Sequence, residues 1–263
     1  MRMNATTAVI ALAVIASASS FRVPNGPPTL DGRIVGGEDA APGEFPYQLS
    51  LRSDGYHMCG ASILSEDWAV TAAHCVHDKG DNSLQLMAGS LDVDEGDIYD
   101  VTYFTVHPNY DPAARNYDWD MALLKVSTPF VFSSTVSPIA LPAEGEELDV
   151  GTMVVISGWG DVREGGNIAK FLQKVTVPVY DQHECFLDYI TDGGITDQMF
   201  CAGVKEAGKN SCNGDSGGPV VTNDKLYGIV SWGIGCGERE YPIVYAKVSS
   251  MKAFIAKETG LKK

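Results

Sequence analysis

The residues best suited to covalent chemistry lie in Gly214-Asp215-Ser216-Gly217-Gly218-Pro219. Glycine accepts backbone angles that other residues avoid and lets a ligand approach closely, so a serine set among glycines can occupy a strained, exposed turn. A serine hydroxyl is a weak nucleophile near neutral pH and needs a base within hydrogen-bonding reach. Of the five histidines, His74 is the best candidate, because it ends a run of small residues in Thr71-Ala72-Ala73-His74-Cys75. His57, His77, His107 and His183 are expected on loops or at the surface, with nothing catalytic around them. A histidine base in turn needs an acid that fixes its tautomer and stabilises the imidazolium. Two carboxylates compete in Asp118-Trp119-Asp120-Met121-Ala122-Leu123-Leu124. Asp120 directly precedes an apolar run that should be a buried strand and can be held near the core; Asp118 should be solvated. Ser216, His74 and Asp120 together would perform nucleophilic acyl transfer.

A framework of many short elements must position these three. The chain has 263 residues, enough for one large all-β unit or two modest domains, and its 28 glycines and 13 prolines suit strands joined by tight turns. Strand-forming runs recur at 47–51, 153–156, 174–177 and 226–230. Helical periodicity is sustained only over 249–257, where Met251, Phe254 and Ile255 share a face. The pattern predicts an all-β protein with a C-terminal helix.

Residues 1–18 have the pattern of a secretory signal. Arg2 supplies the positive end, an apolar stretch over 8–15 is too short to span a bilayer, and Ala16-Ser17-Ala18 offers a small-residue cleavage site. A polar, turn-rich leader over 19–33 ends at Gly32-Arg33, immediately before Ile34-Val35-Gly36-Gly37, and has the character of an exposed processing site. The remaining residues, 34–263, form the main body. An exported chain with six cysteines is expected to form three disulfides, although sequence alone cannot choose among the pairings. No cysteine and histidine spacing suggests a zinc site. A net charge of −15 argues against nucleic acid and anionic membranes as partners.

Ala72-Ala73-His74-Cys75, Asp120-Met121-Ala122-Leu123-Leu124 and Gly214 to Pro219, in the order His, Asp, Ser, resemble the chymotrypsin–trypsin family of serine endopeptidases. The likeness extends from Ile34 almost to the C-terminus through Ile156-Ser157-Gly158-Trp159-Gly160, Met199-Phe200-Cys201-Ala202-Gly203 and Ser231-Trp232-Gly233. Gly43-Glu44-Phe45-Pro46-Tyr47-Gln48-Leu49-Ser50 is most similar to arthropod digestive trypsins. The resemblance implies two antiparallel six-stranded barrels with the site in the cleft between them. It implies an oxyanion hole from the N–H groups of Gly214 and Ser216, and a substrate-binding edge at Ser231, Trp232 and Gly233. It makes 19–33 an activation propeptide: cleavage after Arg33 would free the amino group of Ile34 to pair with Asp215. It pairs Cys59 with Cys75, Cys185 with Cys201, and Cys212 with Cys236. The expected partners are protein or peptide substrates, an activating trypsin-like peptidase and protein inhibitors. The protein is expected to be a secreted, extracellular monomer that needs no cofactor.

Two positions depart from trypsins. The residue six before the nucleophile, an aspartate in trypsins, is Asn210, followed by Ser211. The opposite wall has Pro242-Ile243-Val244-Tyr245 where trypsins have glycine after the proline. With Gly233 leaving the mouth open, the pocket should be shallow, neutral and partly apolar, suiting elastase- or chymotrypsin-like substrates. The alternatives are retained cleavage after Arg or Lys, and a weakly active homologue that acts by binding. The segment from Gly89 to Asp97 corresponds to a loop that holds calcium in many trypsins. Ser90 replaces the first family ligand there, so a solvated acidic loop is expected and calcium is the alternative.

Overall fold

The computed structural model describes residues 37–80, 83–161, 166–204, 213–235 and 241–261. The expected signal and leader, including Arg33 and Ile34, lie outside the described residues, as do Asn210, Ser211, Cys212 and Cys236. No helix among the described residues is long and apolar enough to cross a membrane.

After a two-residue strand β1 (Glu38–Asp39) come β2 (Gln48–Ser53), β3 (Tyr56–Ile63), β4 (Trp68–Thr71), β5 (Leu84–Ala88), β6 (Asp97–Val106) and β7 (Ala122–Val126). These six close into an antiparallel barrel in the order β2-β3-β4-β7-β6-β5. The second half contains β8 (Met153–Gly158), β9 (Gln173–Pro178), helix α1 (Gln182–Asp188), β10 (Met199–Ala202), β11 (Pro219–Thr222), β12 (Lys225–Trp232), β13 (Ile243–Lys247) and helix α2 (Lys252–Thr259). Its sheet has seven strands, in the order β1-β9-β8-β11-β12-β13-β10, because β1 adds to the edge of β9. A bridge between Val179 and Ala202 brings the continuation of β9 to β10. Tyr180 N–H donates to the Cys201 carbonyl (2.8 Å) and Gly203 N–H to the Pro178 carbonyl (3.0 Å), stitching that seam.

Strand β2 explains how polar residues come to lie between the two halves. Leu49 and Leu51 are fully buried in the first core, while the alternate residues Gln48, Ser50 and Arg52 are buried on the other face. A buried polar group is tolerable when hydrogen-bonded. Gln48 Oε1 accepts from Ser157 Oγ of β8 (2.7 Å), linking the two halves directly. The first core also continues into the second half: Ile229 and the helix residues Met251, Phe254 and Ile255 join the cluster that contains Leu49, Leu51, Ile63 and Leu123. Each such buried aliphatic or aromatic side chain stabilises the fold by about 1.5–3 kcal/mol. The C-terminal helix thus forms where its apolar face predicts, beginning with a 3-10 turn over Val248–Met251.

Helix α1 is absent from the periodicity because two turns are too short to display it. Its signal is a cap: the Asp181 carboxylate accepts from the N–H groups of His183 and Glu184 (both 2.9 Å). Cys59–Cys75 and Cys185–Cys201 are both formed, as the family resemblance implies.

The two halves meet backbone to backbone at Gly60. Its N–H donates to the Ser216 carbonyl (2.7 Å), and its own carbonyl accepts from Thr71 Oγ1 (2.8 Å). A Cβ on Gly60 would lie 2.6 Å from the Gly218 Cα, where only backbone could yield. Gly60→Ala is therefore expected to cost about 2 kcal/mol or more in unfolding free energy, together with activity. Gly80→Ala, where a Cβ meets nothing within 4 Å, should stay within about 0.5 kcal/mol of wild type. Equal thermal unfolding midpoints for the two variants would show that the seam can relax.

Candidate active site

Thr71 pairs with Ala122 across β4 and β7, so the residues just after β4 and just before β7 emerge side by side. His74 occupies a 3-10 turn, Ala73–Cys75, directly after β4, and the Cys75 disulfide ties that turn to β3. Asp120 precedes β7 and is only 1% exposed. His74 Nδ1–H donates to Asp120 Oδ2 (2.7 Å), and the His74 backbone N–H donates to Oδ1 (2.9 Å). Ser231 Oγ, at the end of β12 in the second half, also donates to Oδ2 (2.5 Å). Burial alone disfavours a charged His74 ring, but the Asp120 carboxylate more than offsets it and raises the imidazole pKa. This pair can fix the His74 tautomer and stabilise a proton taken up at Nε2.

Ser216 lies in the loop that leads into β11. Gly214 and Gly217 have φ of +91° and +79°, the left-handed region where side chains are strained. A Cβ on Gly217 would also lie 2.1 Å from Thr71 Oγ1. Gly217 N–H donates to the Val230 carbonyl (2.8 Å), which pins the loop to β12. The N–H groups of Gly214 and Ser216 donate to no acceptor among the described residues. Asp215 is fully buried, with its Oδ1 accepting from Gly160 N–H (2.9 Å). His74, Ser216, Tyr117, Trp232, Gly233 and Ile243 line one cleft of about 260 Å³. No hydrogen bond joins His74 Nε2 to the Ser216 hydroxyl; such contacts are often long in a free enzyme and tighten on the reacting complex.

Three expectations about side chains need correction. His57 is not on a loop: it lies in β3, with Nδ1 2.8 Å from Ser50 Oγ and Nε2 3.0 Å from the Gly214 carbonyl. A carbonyl only accepts, so Nε2 carries the proton and Nδ1 accepts from the serine. His107 is buried, stacked on Trp119 with centroids 4.5 Å apart and edge-on to Phe254 at 4.8 Å. Asp118 is half-buried and accepts from Thr196 Oγ1 (2.6 Å) in the second half. His57 could not be found by motif, because its partners arrive through strand register and a contact 157 residues away. Tyr117 was also missed; its ring stands edge-on to His74, centroids 5.6 Å apart.

In the segment from Gly89 to Asp97 several oxygens are already committed to partners within the protein. The Arg52 guanidinium, itself buried, donates to the Val93 carbonyl (2.6 Å) and so brings a resident cation against the loop. Ser90 Oγ and Asp92 Oδ1 are used within the loop, accepting from the N–H groups of Asp92 and Asp94 (both 3.0 Å). Asp92 also faces Lys170 (3.5 Å), while Asp94, Glu95 and Asp97 are exposed. Among the described residues, Cys59, His74 and Cys75 are the group of metal-ligating side chains that converges, but both cysteines are spent in a disulfide.

A closed six-stranded barrel joined to a second sheet, with a histidine–carboxylate pair and a serine facing one cleft, defines a serine hydrolase of two β units. The chain matches the model of the trypsin family over residues 34–255 and belongs to that family; it is a serine endopeptidase. It is 47% identical to Trypsin-1 of Astacus astacus, over 82% of this chain and 95% of the relative. It is 41% identical to Trypsin 5G1 of Aedes aegypti, over 88% of this chain and 86% of the relative. It is also 41% identical to the Vitellin-degrading protease of Bombyx mori, over 87% and 86% respectively. Chemistry of this family needs no cofactor.

The His57 bridge makes stability depend on pH. Burial pushes its pKa down from 6.5 to about 4; the bond to the Gly214 carbonyl opposes the shift, and the Arg52 charge adds to it. The unfolded chain therefore takes up a proton near 6.5, which the folded protein accepts only near 4. Stability from this group is present above pH 6.5 and falls as pH drops through that window, by about 3 kcal/mol. The unfolding free energy of His57→Asn, measured over the same window, should show a flatter acid slope than wild type. Identical slopes would assign the acid loss to other groups.

Proposed function

We propose that Ser216, His74 and Asp120 act as nucleophile, general base and orienting carboxylate in peptide-bond hydrolysis through an acyl-enzyme. The observation that carries this reading is the 2.7 Å bond from His74 Nδ1 to buried Asp120, in a cleft shared with Ser216. Ser216 Oγ attacks the scissile carbonyl as His74 Nε2 takes its proton, and the new imidazolium is stabilised by Asp120. The negative charge that develops on the carbonyl oxygen is received by the N–H groups of Gly214 and Ser216, neither of which has an acceptor among the described residues. His74 then protonates the leaving amine, and water repeats the sequence to release the acyl group. The substrate backbone runs along Ser231, Trp232 and Gly233 as an added strand.

The first specificity pocket favours small or medium apolar side chains. Ile243 is buried in the cleft wall, and its Cδ1 lies 2.5 Å from where a Cβ on Gly233 would sit. The Tyr189 hydroxyl donates to the Pro242 carbonyl, which holds that wall in place. Asn210 contributes an amide where trypsins contribute a charge, so a cationic side chain would lose its partner. The names of the relatives favour a second reading, in which cleavage is trypsin-like.

The protein is secreted by means of residues 1–18 and made as a zymogen with leader 19–33. Cleavage after Arg33 lets the Ile34 amino group pair with Asp215 and order the oxyanion hole. Protein inhibitors dock in the same cleft. An Arg33→Gln chain that remains uncut is expected to have under a hundredth of the activity of the processed enzyme, on the order of the effect of losing a buried ion pair. Full activity in that uncut chain would refute the activation scheme.

Specificity is tested by cleavage of a mixed-peptide library with the processed protein, using Ser216→Ala as control. Cuts after Leu, Phe, Ala or Val are expected, and Asn210→Asp with Ile243→Gly should move them toward Arg and Lys. Cuts after Arg and Lys by the wild type would support the second reading. No cuts beyond the control would overturn the catalytic assignment.

A further inference from the structure

The turn that carries Asp120 is built from residues in unfavourable conformations. Tyr117 has φ of +49° and Trp119 has φ of +61°, in the left-handed region that a bulky side chain adopts only where its surroundings hold it. The turn then tightens further, with Met121 N–H donating to the Trp119 carbonyl (2.7 Å) across Asp120 itself. Asp120 is thus the middle residue of a three-residue turn whose first member is strained. Backbone strain of this kind persists only where neighbouring contacts over-determine it.

Two contacts provide that constraint. Thr196 Oγ1 holds the Asp118 carboxylate from the second half. On the other side, the His107 ring lies flat on the Trp119 indole, centroids 4.5 Å apart and planes 10° from parallel. His107 is itself fixed. It is 7% exposed, the Phe254 ring of α2 packs against it at 69°, its backbone N–H donates to the Met121 carbonyl (2.9 Å), and Nδ1 accepts from Asn109 N–H (3.3 Å). Its backbone therefore grips the residue after Asp120 while its ring grips the residue before.

We propose that His107 is a positioning residue for the catalytic carboxylate: stacked on Trp119, it holds the strained turn that aims Asp120 at His74. The same turn sets the Tyr117 ring against His74, so both neighbours of the imidazole depend on it. The face of the ring does this, and proton transfer by His107 has no part in it. The inference rests on Asp120 being the orienting carboxylate.

The test compares His107→Leu, His107→Phe and Asp120→Asn in the processed enzyme, with kcat normalised to active sites counted by titration. His107→Leu keeps volume without a stacking face, and is expected to lower kcat by about tenfold to a hundredfold while KM changes little, as for a displacement of about 1 Å. The acid limb of kcat/KM should move to lower pH, because the His74 pKa is raised by Asp120. A loss of folded protein alone would move neither quantity. His107→Phe keeps the stack but not the Nδ1 acceptor, and should leave both values near wild type; a fall in kcat in that folded variant would overturn the proposal by itself. In a Trp119→Gly background, where glycine takes positive φ freely, His107→Leu should have no further effect; independent, multiplying losses would also overturn it. Wild-type activity in Asp120→Asn would sink the catalytic reading, whereas loss there with an unaffected His107→Leu would sink only this inference.

Discussion

A carboxylate that folding leaves 1% exposed must be fully paired, and the need to pair Asp120 organises much of this molecule. An uncompensated buried charge costs several kcal/mol, so each of its oxygens needs a donor. The donors come from two places: the ring and backbone N–H of His74 after β4, and the Ser231 hydroxyl at the end of β12. The first barrel alone supplies two of them; the third requires the second sheet to be seated. Catalytic geometry and docking of the two halves are therefore one structural problem. The same bonds that make the charge tolerable also fix the orientation of the His74 ring.

Docking is accomplished by backbone approach, which explains the density of glycines around the nucleophile. Gly60 and Gly218 nearly touch, and Gly158 and Gly160 surround the Asp215 carboxyl so closely that a Cβ would lie 2.1 and 2.4 Å from its atoms. A side chain at Gly60 would hold the halves apart, and one at Gly158 or Gly160 would displace the Asp215 carboxyl within the second half. Ser216 is thus carried at the line of closest approach, where its carbonyl binds Gly60 and its neighbour Gly217 binds Val230. The Ser216 loop is held from both sides, and the N–H groups of Ser216 and Gly214 donate to no acceptor among the described residues.

What was legible in the sequence was local. The glycine-rich hexapeptide, the histidine beside a cysteine and the aspartate before an apolar run all carry their signal within a few residues, as does the apolar face of α2. The missed features depend on pairing between distant segments. Arg52 and His57 face each other through the β2–β3 register, and that register cannot be read from either strand alone. His107 resembles a surface residue until Trp119 and Phe254 close over it. Asp118 was misread for a related reason: its partner Thr196 is 78 residues away and belongs to the other half. Helix α1 lacked periodicity because of its length, although Asp181 and Glu184 mark its start.

The two tasks of the site are physically separable. The charge network runs through β4, β7 and the tip of β12, whereas the pocket wall is formed by Ile243 at the start of β13, held through Pro242 by Tyr189. Trp232 joins them, since it lies next to Ser231 in sequence and its ring meets Tyr189 edge-on at 4.7 Å. The Ile243 Cδ1 lies 2.5 Å from where a Cβ on Gly233 would sit, whereas the donors to Asp120 come from His74 and Ser231. The cleft wall at Ile243 can therefore differ while the bonds to Asp120 stay in register.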